Sequence, residues 1–280
     1  ENDYAIPYFN PNFFNKWDVY ERLSPHHQVN HYLPECLIDP GLDDVKAMLR
    51  RDQHIYAKPL EGSHGENIKQ IIKVPEEPYY YCRFHDPEKD EYRLKRYSSL
   101  KRLMKEEFPL GTREYMFQQG IHLLKIGNSP VDFRVHTNKN MNGKWEVTAV
   151  AAKQAGWQSV TTHIHRGGEV KSLEELTEDG HLSVQDTTAL KTVALALSKA
   201  LDQEMDGFIG EIGFDLGIDK NQHIWLFEAN SKPGRMIFTQ GKLKREDHIS
   251  KELPFAYAIY LSEQVFKYPE KYLNLVTTRI

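Results

Sequence analysis

Three oxygen-bearing side chains, Asp215, Glu228 and Asn230, are spaced so that a hairpin would bring them together. Residues 208–218 are an apolar run, 219–222 carry turn chemistry, and 223–227 are apolar and aromatic again. That is the pattern of two antiparallel strands around a short connection. A turn centred on Asn221 and Gln222 sets Asp215 opposite Glu228, and strand alternation puts Glu228 and Asn230 on one face. Carboxylates gathered at the end of an apolar hairpin need a proton, a cation or a basic partner, because an unpaired buried charge is costly. Magnesium suits the set, since it takes a few carboxylate or amide oxygens and completes its shell with water and phosphates. A polar hairpin tip that simply meets solvent is the alternative. The Ser231-Lys232-Pro233-Gly234 turn favours the metal, because it holds Asn230 at a strand end.

A second group lies early in the chain. Residues 54–58 read as a strand ended by Pro59, and the glycine-rich Gly62-Ser63-His64-Gly65 leads into another strand over 68–74. Glycines let backbone N–H groups approach an anion, Ser63 adds a hydroxyl, and Lys58 on the rigid strand supplies positive charge for phosphates. The Gly-Lys-Ser/Thr followed by a helix that marks the common phosphate loop is absent, and a plain glycine hairpin with an exposed lysine is the alternative. Asp132 and Arg134 share a strand over 131–137, and Lys153 ends another over 145–153. His163-Ile164-His165-Arg166-Gly167-Gly168 is a polar turn in which zinc would need a third ligand, so an anion or substrate contact by Arg166 or His165 is the preferred reading. Lys16 beside Trp17 means little by itself.

The elements that must position these groups follow from periodicity. Helices are expected over 14–23, 43–51, 98–108 (capped by Ser98 or Ser99), 184–205 and 249–266, with a short helical piece at 173–176. Strands are expected over 79–84, 91–97 and 114–119, the last broken by Gly120-Ile121 into a connector where a nucleotide base could lie against backbone groups. Net charge is −4, from 36 Lys and Arg against 40 Asp and Glu, which gives no reason to expect nucleic acid as an obligatory partner. The basic stretch 93–105 reads as a solvated helix face. Cys36 and Cys82, lacking metal-ligand spacing, suit a reducing cytosol. No apolar run of about 18 residues predicts a membrane span. The first residue is Glu1, and the sequence is expected to lack something upstream.

In this order and at these separations, Lys-Pro-x-x-Gly-Ser-x-Gly, a connecting strand, Asp-x-Arg and Asp…Glu-x-Asn-x-x-Pro-Gly resemble the ATP-grasp superfamily. His165-Arg166-Gly167-Gly168 resembles the RimK-type amino-acid ligases. Tyr8-Phe9-Asn10, Lys16-Trp17, Leu33-Pro34-Glu35 and the stretch from Phe227 to Arg235 look like the spore-coat-associated YheC/YheD group. The resemblance covers almost the whole chain. It implies an α+β fold of two lobes gripping Mg-ATP, and it implies roles. Lys58 and Lys16 would hold the phosphates beneath a lid comprising Gly62, Ser63 and Gly65. Gln119 and Ile121, with Gln118 adjacent, would present backbone groups to adenine. Asp215, Glu228 and Asn230 would bind magnesium, and Arg134, Lys153 and Arg166 would serve the reacting carboxylate or the γ-phosphate. The implied reaction phosphorylates a carboxylate with ATP, after which an amine displaces phosphate to give an amide.

This sequence departs from the pattern in places. His122 and Lys125 stand where an acidic ribose ligand is common, the segment between connector and Asp132 is longer than in RimK-type relatives, and Thr161-Thr162 replaces an expected arginine. The expected organisation is residues 1–42 as a linker from, or remnant of, a preceding domain, 43–117 as the lobe with the glycine-rich loop, and 118–280 as the lobe with the metal residues. The expected protein is a cytoplasmic ligase with a spore association, whose substrate is an amino acid or peptide, with no nucleic-acid or membrane partner. A kinase on the same scaffold and a non-catalytic coat scaffold are the rivals.

Overall fold

The structure is a computed structural model that describes residues 7–61, 67–156 and 168–270. Its helices are α1 (Lys16–Leu23), α2 (Leu42–Asp52), α3 (Leu100–Glu107), α4 (Leu173–Glu178), α5 (Val184–Glu204) and α6 (Lys244–Lys267). Its strands are β1 (Cys36–Ile38), β2 (His54–Pro59), β3 (Lys69–Ile72), β4 (Tyr80–Asp86), β5 (Glu91–Tyr97), β6 (Tyr115–Gln119), β7 (Lys125–Ile126), β8 (Ser129–Lys139), β9 (Trp145–Gln154), β10 (Glu169–Lys171), β11 (Glu211–Ile218) and β12 (Ile224–Asn230). They form two antiparallel sheets, one ordered β1-β6-β2-β3-β4-β5 and the other β10-β9-β8-β11-β12, with β7 paired to β8. The α+β architecture expected from the sequence is therefore present.

Each sheet buries one face against helices; the other face of the first looks onto the site, while that of the second is shared between the site and a smaller core of Ala149, Ala151, Ile237, Phe238 and Leu243. In the first sheet, Ile55, Ala57, Ile71, Cys82 and Phe117 pack on Val45, Met48 and Leu49 of α2 and on Leu100 and Leu103 of α3. In the second, Phe133, Val135, Phe214 and Leu216 pack on Leu190, Val193, Leu197 and Leu201 of α5. Each such buried leucine or phenylalanine contributes about 1.5–3 kcal/mol, so the polar faces rest on well-anchored strands. Helix starts are set by side chains. Asn15 accepts from the Trp17 amide at 2.8 Å to begin α1, Ser99 caps α3, and Ser183 with Asp186 forms a capping box for α5.

Several elements differ from their sequence outline. Helix α6 begins five residues earlier than expected, at Lys244, and accommodates Pro254 within its span. The basic stretch 93–105 is no single helix face. It divides between β5 and α3, and Lys95 reaches back to the buried Glu107 carboxylate at 2.9 Å, where Lys69 also pairs at 2.8 Å. Residues of the first 42 contribute to both sheets: β1 extends the first beside β6, while Val19 and Leu23 of α1 join the core of the second.

The hairpin of β11 and β12 contains a β-bulge. Near the turn, Ile218 pairs with Ile224 and Leu216 with Leu226, one residue out of the frame expected from the sequence, and a shift between Asp215 and Leu216 then sets Asp215 opposite Glu228. Phe227 is the extra residue. The bulge lets Leu216 and Leu226 both enter the core while Asp215 and Glu228 share the opposite face.

Candidate active site

The site face of the second sheet carries the even-numbered residues of β8. Asp132 pairs across the strands with Lys153, and Arg134 pairs with Asp215. The Arg134 guanidinium donates to both Asp215 carboxylate oxygens, at 3.0 and 3.1 Å. Lys153 donates to Asp215 at 2.7 Å and pairs with Asp132 at 3.0 Å. Asp215 is 8% and Lys153 6% exposed at the side chain. Burial disfavours the charged form of Lys153, but Asp132 and Asp215 outweigh it and raise its pKa. Arg134 is likewise opposed by burial and held charged by Asp215. Glu228 lies 3.6 Å from Lys16, the first residue of α1.

The N-terminal segment fastens this end of the hairpin. Asn10, in a left-handed conformation with φ 52°, donates to the Glu211 and Ser231 carbonyls and accepts from the Gly210 amide. Ser231 donates to the Asn12 carbonyl at 2.7 Å. The Ser-Lys-Pro-Gly turn is thereby tied to the residues that lead into Lys16. Gly210 has no room for a side chain, because a Cβ there would lie 2.5 Å from the rings of Phe9 and Tyr257.

The first sheet faces this array across a cleft of about 430 Å³. His54, Tyr56 and Lys58 alternate into it from β2, Gln70 from β3, Arg83 from β4, and Gln118 and Gln119 from β6. Lys58 stands 5.7 Å from the centre of the Phe227 ring, the bulge residue. Burial lowers its pKa, and the nearby Glu228 carboxylate opposes that fall. Gly217 admits the same ring, since a Cβ there would sit 2.5 Å from it. The connector after β6 is pressed onto β2: a Cβ on Gly120 would meet the His54 carbonyl oxygen at 2.1 Å. His54 and His122 face each other with ring centres 5.0 Å apart. Burial, with His122 adding to it, lowers the His54 pKa to about 4.

Lys58, Gln118, Gln119, Ile121, Lys153, Asp215 and Glu228 thus line one cleft. Lys16 lines a narrow recess that shares Gln118, Phe227 and Glu228 with that cleft. Arg134 reaches it through Asp215. Asn230 stands apart from its lining, paired with Gly213 at the hairpin end. Gly62, Ser63, Gly65 and Arg166, together with the two histidines before it, fall outside the described residues.

Sequence reasoning did not assign Asp132, Tyr56, Gln70 or Arg83 to the site, although all four line the cleft. The strands were legible, but which face of β3 and β4 turns inward depends on pairing that alternation alone leaves open. His136 was also missed. It is 1% exposed, both ring nitrogens lack a partner among the described residues, and it packs edge-on against Phe238 at 4.7 Å. Burial drives its pKa well below the ordinary range, so it is a neutral imidazole.

The oxygen donors fit magnesium in kind. Among the described residues no group of three or more His, Cys, Asp or Glu forms a metal cluster. Two carboxylates and an amide are a set that magnesium completes with water and phosphate oxygens. Arg134 and Lys153 neutralise Asp215 in their present arrangement, which makes the buried carboxylate tolerable. Chemically, the cleft offers cations from both sheets around a pair of facing carboxylates, suited to binding and polarising a polyanion. Among the described residues, no helix is long and apolar enough to cross a membrane.

The description YheC/D like ATP-grasp fits residues 5–261 of the chain. The chain is 38% identical over 270 residues to the endospore coat-associated protein YheD of Bacillus subtilis strain 168, covering 96% of this chain and 59% of that protein. It is 21% identical over 224 residues to the endospore coat-associated protein YheC of the same organism, covering 79% and 60% respectively. The chain therefore spans about three fifths of the length of these relatives. Among solved structures, D-alanyl-alanine synthetase A from Vibrio cholerae O1 biovar eltor superposes with a TM-score of 0.52 at 9% identity, covering 89% of this chain and 66% of that one. The D-alanine-D-alanine ligase from Coxiella burnetii gives 0.50 at 10% identity, covering 90% and 60%. At these identities the likeness is one of fold.

Proposed function

The chain belongs to the YheC/D-like ATP-grasp family, and on that premise we propose that it is an ATP-dependent carboxylate–amine ligase. The observation that carries the reading is the convergence of Lys58, Lys153, Asp215 and Glu228 on one cleft bordered by the connector after β6. In this reading Gln119 and Ile121 offer backbone groups to adenine, with Gln118 beside them. Lys58 and Lys16 neutralise phosphate charge, and Arg134 and Lys153 stand at the reacting end. Residues 43–117 and 118–280 are the two gripping lobes, and residues 1–42 brace them. Asp215, Glu228 and Asn230 are the magnesium ligands, and the ion would supply charge neutralisation on the transferring phosphoryl group.

A substrate carboxylate oxygen attacks the γ-phosphorus and ADP leaves, giving an acyl phosphate. An amine then attacks the acyl carbon and expels phosphate, and the amine gives up a proton. In this reading the two sheets that wall the cleft limit the access of water to the acyl phosphate. The names of the relatives support an association with the spore coat, and the substrate in this reading is an amino acid or peptide. The test is ADP release with magnesium, ATP and pooled amino acids, followed by mass spectrometry of the products. Condensation with loss of water supports the ligase. A phosphorylated acceptor identifies a kinase, and tight nucleotide binding without ADP identifies a scaffold.

A further inference from the structure

The outer half of the first sheet is packed on one side only. Tyr80, Cys82 and Phe84 of β4 and Tyr97 of β5 belong to the core that α2 and α3 cover. Alternation turns Tyr81, Arg83 and His85, with Tyr92, Leu94 and Arg96, to the opposite side. There they stand as the cross-strand pairs Tyr81–Arg96, Arg83–Leu94 and His85–Tyr92. Leu94 is 54% exposed and Arg96 is exposed beside it, so this side is open. Arg83 marks its inner margin, where it borders the cleft. Arg96 lies on the edge strand, three strands from β2 and Lys58, and none of the groups assigned to the nucleotide reaches it.

The chemistry of this face is cationic and aromatic. Its six side chains include two arginines and no carboxylate. On the other side of the same strands, Arg93 and Lys95 are paired with Asp86 and Glu107. Among the described residues no carboxylate pairs with Arg83 or Arg96. The Arg96 guanidinium lies 4.5 Å from the centre of the Tyr79 ring, which holds its plane and leaves its N–H edge for an acceptor. Carboxylates stand only at the ends of the face. Glu77 accepts the Tyr81 hydroxyl at one end, and Asp90 pairs with His85 at 3.0 Å at the other.

We propose that this face docks an extended acidic segment of a partner protein, with carboxylates two residues apart on Arg83 and Arg96. The spacing decides the form of the segment. Arg83 and Arg96 are diagonal neighbours across β4 and β5, about 7–8 Å apart, and alternate residues of an extended chain are about 6.7 Å apart. Two acidic side chains on one side of such a chain therefore reach both guanidiniums, each able to bind a carboxylate through paired N–H groups. Leu94 and the tyrosine rings lie beneath the intervening backbone. Charge decides against a nucleic acid, because the acidic turns at both ends would repel a phosphate backbone that runs off the face. The proposal goes beyond the ligase reading and does not need it.

The experiment is fluorescence anisotropy at low salt, where such pairs are least screened. The probes are a short labelled peptide of alternating glutamate and alanine, its glutamine counterpart and an oligouridylate. Each is titrated with and without magnesium and a non-hydrolysable ATP analogue. The wild type is expected to bind the glutamate peptide about tenfold or more tightly than the glutamine peptide, the scale of a charge-assisted hydrogen bond. R96Q and R83Q each remove most of that preference and R96K restores part of it. R113Q, at an arginine 87% exposed on the loop before β6, leaves it unchanged, and the nucleotide analogue does not displace the peptide. Equal binding of the two peptides, an equal loss in R113Q, or displacement by the analogue overturns the docking face. An oligouridylate that binds more tightly than the glutamate peptide, and loses that binding in R96Q, assigns the face to single-stranded nucleic acid and also overturns it. Failure of the analogue to bind counts against the ligase reading alone, since the peptide is also titrated without it.

Discussion

Asp215→Asn is the most informative perturbation of the site, because one carboxylate there answers two buried cations. The substitution is nearly isosteric, but it removes the charge that receives Arg134 at 3.0 and 3.1 Å and Lys153 at 2.7 Å. Breaking a buried pair from one side costs about 3–5 kcal/mol. Lys153 keeps Asp132 at 3.0 Å, which puts the expected loss near the lower end, about 3 kcal/mol. At about 2.1 cal/mol/K per residue, a chain of 280 residues unfolds with an entropy of about 0.6 kcal/mol/K. The variant should therefore melt about 5 °C below wild type in scanning calorimetry without nucleotide. Magnesium and a non-hydrolysable ATP analogue at a hundred times their dissociation constant should stabilise the wild type by about 2.7 kcal/mol, again about 5 °C. D215N should lose most of that second gain. A variant that melts with the wild type would refute the ion-pair reasoning. One that keeps the full nucleotide-dependent gain would refute the place given to Asp215 in the metal site.

Three other outcomes follow from the same geometry. Glu228→Gln should retain the fold, since its ion pair with Lys16 is long at 3.6 Å, yet lower ATP turnover by about a hundredfold or more in an ADP-release assay; full activity would contradict the metal assignment. Gly120→Ala should destabilise the chain by more than about 3 kcal/mol in denaturant unfolding, because the new methyl would collide with the His54 backbone at 2.1 Å. His54 is held neutral by burial and by His122, with its pKa at about 4 against about 6.5 when unfolded. Between those values the unfolded chain takes up a proton that the folded chain refuses, so this contribution is complete above pH about 6.5 and is lost as pH falls toward about 4. His54→Gln should flatten the stability profile in that window, and an unchanged slope would count against the buried pair.

Much of the site could be read in the sequence because its residues sit on strands whose apolar alternation is clear. Asp215 was set opposite Glu228 by turn chemistry alone. The pairing near the turn is one residue out of that frame, and the bulge at Phe227 brings the two carboxylates back into opposition. Nothing local announced the bulge, which reflects the need to bury Leu216 and Leu226 together. Arg83 was hidden for a different reason. Its strand was evident, but the pairing of β4 with β3, which carries Arg83 into the same row as Tyr56, is a tertiary fact. The basic stretch 93–105 is largely solvated as expected, with Lys95, Arg96, Lys101, Arg102 and Lys105 exposed, but a strand and a helix divide it. Even so, Lys95 reaches a buried glutamate with Lys69 and Tyr97. His136 carried no signal at all, since an imidazole on a strand reads as polar until its neighbours are known.

The central claim is that ATP activates a carboxylate in this cleft before an amine arrives. Amino acids whose carboxylates carry heavy oxygen would be incubated with the protein, magnesium and ATP, and the released phosphate examined by mass spectrometry. Transfer of one heavy oxygen from substrate to phosphate, in step with amide formation, is the predicted result. Unlabelled phosphate, or a phosphate left on a hydroxyl acceptor, would contradict it.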